Sequence, residues 1–121
     1  MPFKNILREL ATRSGAEGAI MLAPDGEPVG SFNASTECDL EAIGAHKGII
    51  FNMLKGAASR TGTNGDRDIH SVSITTENAK LAMVALKDGY YIVIALKKEG
   101  SFGRVFFEAK KAVREIEREM G

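Results

Sequence analysis

The sequence has one cysteine, no tryptophan and three prolines, and its sixteen Lys and Arg residues balance sixteen Asp and Glu residues. A single Cys38 cannot form a disulfide within the chain, which favours a reduced, cytoplasmic setting. Without net charge there is no overall field to attract nucleic acid or an anionic membrane surface. No apolar run is long enough to span a bilayer and no signal peptide is recognised. We therefore expect neither nucleic-acid binding nor membrane insertion.

Residue clusters typical of catalysis and ligand binding are also missing. His46 and His70 are far apart in the sequence and have no neighbouring cysteine, so the ligand count of a metal site is not met. The glycine spacings of Walker-type and dinucleotide-binding loops do not occur, which argues against nucleotide binding by the chain itself. Cys38 has no histidine partner placed by sequence, and we interpret it as a bystander thiol. We expect no catalytic residue, no metal and no cofactor.

What the chain does contain suits one globular domain spanning residues 1–121, since 44% of its residues are apolar and 26% are charged. Its most informative stretch is 79–96, where two apolar runs of strand length flank Lys-Asp-Gly. This pattern predicts a β-hairpin in which Gly89 adopts a positive φ. Neither strand alternates apolar with polar residues, so both faces of the hairpin must be covered.

The remaining elements follow from periodicity and turn residues. Pro-Asp-Gly at 24–26 predicts a second hairpin, and an alternating run at 69–76 predicts a third strand beside the 79–96 hairpin. Helical spacing of apolar residues predicts three helices. In chain order the predicted elements are a helix over 2–14, strands over 16–23 and 29–33, a second helix over 36–60, strands over 69–76, 81–86 and 90–96, and a third helix over 102–120.

Hairpin adjacency, with the most apolar strands placed centrally, predicts a five-stranded antiparallel sheet in the order 2-1-5-4-3. The second helix must then cross one face of the sheet from edge to edge. The first and third helices are left for the opposite face. The fold class is therefore α/β (α+β), with three α-β-α layers and the chain order αββαβββα.

The two predicted edge strands differ in their protection against pairing. The strand over 29–33 is accompanied by Pro28 and contains Gly30, whereas the strand over 69–76 has no Lys, Pro or Gly. We predict that the 69–76 strand pairs antiparallel with its copy in a homodimer and brings two second helices together. Gly44 and Gly48 leave one flank of that helix without bulk, which fits either this contact or close packing on the domain's own sheet. The predicted interface residues are Gly44, Gly48, Phe51, His70, Val72 and Ile74.

Three segments carry a resemblance to a known family: Phe-Lys-Asn-Ile-Leu-Arg-Glu-Leu from residue 3, Gly-Ala-Ile-Met-Leu-Ala-Pro-Asp-Gly-Glu-Pro-Val from residue 18, and Tyr-Ile-Val-Ile-Ala-Leu from residue 91 through Gly-Arg-Val at 103–105. With the element order, they resemble the Roadblock/LC7 family, and in particular its MglB-like prokaryotic members. The resemblance implies a profilin-like fold, a homodimer built on the second helix and third strand, and regulation or scaffolding of Ras-like small GTPases. In MglB it implies GTPase activation that repositions the GTPase's own residues without supplying an arginine finger.

The function expected from the resemblance is that of a homodimeric regulator or scaffold that binds a Ras-like small GTPase, with stimulation of GTP hydrolysis as one form of that role. The chain itself is then not an enzyme. The alternative is a small-molecule-sensing module or a purely structural dimerisation module, because sheet-and-helix domains can hold ligands between their layers. The predicted interior is aliphatic and offers few convergent polar groups, which favours the first interpretation.

Overall fold

The computed structural model describes residues 2–34, 70–77 and 80–121. An N-terminal helix runs over Pro2–Ser14 and a C-terminal helix over Phe102–Met120, as the apolar periodicity predicts. The N-terminal helix ends where the buried Ser14 hydroxyl donates to the carbonyl of Leu10 at 2.6 Å, followed by Gly15 at a φ of 70°. The predicted second helix over 36–60, and with it His46, lies outside the described residues.

Five strands form one antiparallel sheet in the order β2-β1-β5-β4-β3, which confirms the predicted arrangement. Hydrophobic pattern located every strand to within one or two residues, and the differences are confined to strand ends. The strands are β1 (Gly18–Leu22), β2 (Pro28–Asn33), β3 (Ser71–Thr75), β4 (Lys80–Ala85) and β5 (Tyr91–Leu96).

The predicted hairpin turn joins β4 to β5 through a short 3-10 turn over Lys87–Gly89. Gly89 has a φ of 82°, as expected, and Asp88 also has a positive φ of 60°. A Cβ at position 89 would lie 3.0 Å from Cγ of Pro24. Glycine is required here both by the backbone conformation and by the close approach of the first hairpin's turn.

Both faces of the sheet are buried, in agreement with the absence of alternation in its central strands. The first cluster joins the sheet to both described helices, and β1, β4 and β5 contribute its floor. Its sheet members are Ala19, Met21, Ala82, Val84, Ile92, Ile94 and Leu96. The second cluster lies on the opposite face and consists of Ile20, Leu22, Leu81, Met83, Tyr91, Val93 and Ala95.

The two described helices share the first face of the sheet, as the predicted arrangement requires, and they contact each other there. Ser101 is the N-cap of the C-terminal helix, and its hydroxyl accepts the backbone N–H of Arg104 at 3.3 Å. This hydrogen bond satisfies one free donor of the first turn. Its buried side chains are Val105, Ala109, Ala112 and Ile116. Apolar residues at helical spacing predict a buried stripe of Phe102, Phe106, Ala109, Val113, Ile116 and Met120 on this helix. The stripe contains Ala109 and Ile116 but omits Val105 and Ala112, because the buried face is wider than one row of side chains.

Candidate functional site

The edge of the described sheet at β3 is open, because β3 pairs with β4 alone. The backbone N–H of Ala85 donates to the carbonyl of His70 at 2.8 Å, which marks 70 and 85 as a hydrogen-bonded pair. In an antiparallel ladder such pairs alternate, so Val72 and Ile74 also direct their N–H and C=O groups toward β4. Ser71, Ser73 and Thr75 therefore direct theirs outward and offer a row of backbone groups to another strand.

The side chains of β3 divide between the two sheet faces. Val72 and Ile74 are half-buried and pack against the second cluster, whereas Ser71, Ser73 and Thr75 are exposed. The other sheet edge is different, since β2 begins with Pro28 and its register with β1 shifts between Met21 and Leu22. Proline and register irregularities discourage edge pairing. Only β3, of these two described edges, presents a regular ladder to a partner.

Of the predicted interface residues, three are described. Val72 and Ile74 lie on β3 with their side chains against the second cluster, while His70 lies just before the strand and is exposed. Gly44, Gly48 and Phe51 belong to the predicted second helix and lie outside the described residues. The interface therefore stays a prediction. Its three described residues lie on or next to β3, at one edge of the sheet.

A groove that sequence reasoning did not identify lies beside this edge on the first face of the sheet. It has a volume of about 300 Å³ and separates β4 and the start of β3 from the C-terminal helix. Its lining residues are His70, Ser71, Val84, Ala85, Phe106, Ala109, Lys110, Val113 and Arg114. The signal in the sequence was the spacing of Phe106 and Val113, two apolar residues seven apart on the C-terminal helix. In the structure they are half-buried and lie beside the deep core positions instead of among them.

The charged side chains around the groove are mostly cationic. Lys110 and Arg114 line it from the C-terminal helix, and no ion pair involves either of them among the described residues. Farther along the same helix, Oε2 of Glu117 accepts the backbone N–H of Lys87 at 2.7 Å, so this carboxylate is engaged with the hairpin turn. The groove combines an apolar floor with two unneutralised cations.

Two further features bear on ligand and proton chemistry. A second open cavity of about 320 Å³ is lined by Phe3, Met21, Val29, Asp88, Tyr90 and Met120. Burial raises the pKa of the Tyr91 phenol above its ordinary value of about 10, and the negative charge of Asp25 raises this pKa further.

The described residues contain no cluster of three or more metal-ligating side chains. Neither described helix is long and apolar enough to cross a membrane.

A five-stranded antiparallel sheet with two helices on one face and an open edge defines a profilin-like α+β domain. A family model for the Roadblock/LC7 domain matches residues 2–96, and the chain belongs to this family. The match includes β1, β2 and the whole of the β3-β4-β5 meander.

Solved structures agree with this assignment at the level of the fold. Myxococcus xanthus MglB has a TM-score of 0.85 at 16% identity, with 98% of this chain and 94% of that chain covered. The gliding protein MglB from Thermus thermophilus has a TM-score of 0.83 at 15% identity, covering 97% and 87% of the two chains. A Roadblock/LC7 domain from Streptomyces avermitilis has a TM-score of 0.82 at 15% identity, covering 97% and 96%. A search of curated proteins found no match.

Proposed function

We propose that this chain is a homodimeric regulator or scaffold that binds a Ras-like small GTPase and acts in the cytoplasm. The observation that carries the proposal is the open, regular edge of β3 in a domain of the Roadblock/LC7 family with an MglB-like fold. An edge strand with half-buried Val72 and Ile74 and outward-facing backbone groups is suited to pairing with its own copy. The second helix would extend this interface through Gly44, Gly48 and Phe51.

The role in GTPase regulation rests on the family. Roadblock/LC7 proteins of the MglB type are expected to act on a partner GTPase and to leave the chemistry of hydrolysis to that partner's own residues. The described helices and strands are packed by apolar side chains, and the surface around this core would carry the contact with the partner. A dimer would present this surface twice, related by a two-fold axis.

The dimer is tested by light scattering on the wild-type chain and on Ser73→Pro. Ser73 directs its N–H outward, so proline removes one donor of the open edge while the ladder to β4 keeps its hydrogen bonds. We expect twice the chain mass for the wild type at micromolar concentration and a monomer for Ser73→Pro, with unchanged circular dichroism. Ser73→Thr keeps the N–H and serves as the matched control, expected to be a dimer. A wild-type monomer would contradict the proposal.

The partner is tested with the Ras-like small GTPase encoded nearest to this gene, purified and loaded with GTP. Binding is measured by calorimetry, and GTP hydrolysis is measured with and without this protein. Binding with faster hydrolysis supports an activator, and binding with unchanged hydrolysis supports a scaffold. Absence of binding to this GTPase at 100-fold molar excess would count against both forms of the proposal.

A further inference from the structure

The groove beside β3 has the shape of a docking site for a few side chains. Val84 of β4 lies at its floor, Ala109 belongs to its helix wall, and Phe106 and Val113 on the same wall are half-buried. These two side chains are seven residues apart, a distance of about 10 Å along the helix at 1.5 Å per residue. Two turns of a partner helix present apolar side chains over the same distance.

The spacing of the two cations on the helix wall lowers the stability of the helix. Lys110 and Arg114 are four residues apart, and like charges at this spacing destabilise a helix by a few tenths of a kcal/mol. No acidic residue lies three or four positions from Lys110, and the one such neighbour of Arg114 is Glu117, which accepts the N–H of Lys87. Neither cation is neutralised within the described residues, so the site has unused capacity for an anion.

The opposite flank of the same helix shows that this is not a general feature of its surface. There Lys111 pairs with Glu108 at 3.4 Å, and Glu115 stands four residues after Lys111. Basic residues outside the groove thus have acidic neighbours on the helix. Of the two that line the groove, Lys110 has none, and the only such neighbour of Arg114 is Glu117, which is engaged with the hairpin turn.

We propose that this groove docks an acidic amphipathic helix of a partner protein. Its apolar side chains would occupy the space between Val84 and Phe106, and carboxylates one turn apart would meet Lys110 and Arg114, which are about 6 Å apart along the helix axis. The groove is concave and apolar at its floor, which suits side chains better than a flat lipid surface. The groove borders the proposed dimer edge at His70 and Ser71. Docking does not require the dimer, because pairing at β3 extends the sheet in its plane while the groove lies on the first face of the sheet.

The test uses two synthetic 15-residue peptides that share leucines at helical positions i, i+3, i+7 and i+10. One carries glutamates at the flanking positions and its twin carries lysines. Binding to the full chain is measured by fluorescence polarisation, and the bound site is located from backbone amide shifts in NMR spectra. We expect the acidic peptide to bind at least ten-fold more tightly than its twin, to shift Ser71, Val84 and Val113, and to weaken as salt is raised.

Matched charge reversals then assign the effect to the groove. Lys110→Glu with Arg114→Glu is expected to lower affinity for the acidic peptide at least ten-fold and to reverse the preference between the twins. Arg104→Glu with Lys111→Glu makes the same change in net charge on the same helix outside the groove, and is expected to alter affinity less than two-fold. Circular dichroism shows that both variants are folded. Monomeric Ser73→Pro is expected to bind the acidic peptide as the wild type does, which separates this inference from the dimer.

Five results would overturn the inference. They are an absence of groove shifts at 1 mM acidic peptide, equal affinity for the two peptides, and an equal loss in the control variant. The fourth is movement of the groove signals with protein concentration alone, which would assign the groove to a second copy of the chain. Sedimentation with anionic lipid vesicles that is lost in Lys110→Glu with Arg114→Glu would likewise reassign the cations to a membrane surface.

Discussion

The two flanks of the C-terminal helix meet different neighbours and are built differently. Toward the N-terminal helix the space is small, about 80 Å³, and its lining alternates in sign among Glu9, Arg13, Glu108, Lys111 and Glu115. Toward β4 and β3 the space is about 300 Å³, its floor is apolar and its charged lining residues on the helix are Lys110 and Arg114. The first flank holds the domain together, whereas the second has groups that no described residue satisfies. One helix thus serves the core and presents a surface.

The largest expected effect is on the free energy of unfolding, when the same Val→Ala substitution is made in the core and at the groove. Val105 is fully buried in the first cluster, whereas Val113 is half-buried at the groove. Val105→Ala should lower the free energy of unfolding by about 2 kcal/mol, from lost burial and an added cavity, and Val113→Ala by about half as much. Urea denaturation measures both. Equal losses would show that the groove wall is packed as tightly as the core.

A smaller effect is expected where the C-terminal helix meets the hairpin turn. Glu117→Ala removes the carboxylate that accepts the Lys87 N–H at 2.7 Å, and it should cost about 1 kcal/mol, the usual net contribution of one intramolecular hydrogen bond. Glu119→Ala, an exposed glutamate on the same turn of helix, is the control and should be nearly neutral. Faster hydrogen exchange at Lys87 in Glu117→Ala alone would support the assignment, and unchanged exchange would count against it.

The smallest expected effect is a change in stability on Lys→Glu substitution, and its sign differs between the two flanks of the C-terminal helix. Lys110→Glu replaces a like-charged pair with a Glu-to-Arg pair at i,i+4 and should stabilise the helix by a few tenths of a kcal/mol. Lys111→Glu breaks the contact with Glu108 and should destabilise the domain by a similar amount. Thermal melts at low and high salt resolve the difference, which should shrink as salt is added. Shifts of the same sign would contradict the contrast between the flanks.

The fold could be predicted in detail because its signals are local. Apolar runs bounded by Pro-Asp-Gly and Lys-Asp-Gly placed the hairpins, and the two-sided burial of 81–86 and 91–96 required layers on both faces. The predicted interface could be followed only in part, since Val72 and Ile74 are placed on β3 and Gly44, Gly48 and Phe51 are outside the described residues. Periodicity missed Val105 and Ala112 because the width of a helix's buried face depends on what packs against it.

The sequence by itself determined the order of the strands, the position of the Gly89 turn and the unprotected character of β3, because hydrophobic pattern and turn chemistry act between neighbouring residues. The tertiary structure alone decided which flank of the C-terminal helix faces the N-terminal helix and which faces β4. That choice left Lys110 and Arg114 over an apolar groove and placed Lys111 and Glu108 beside Glu9 and Arg13 of the N-terminal helix. The physical reason is that a helix presents its side chains all around its axis, and only packing against other elements separates core from surface.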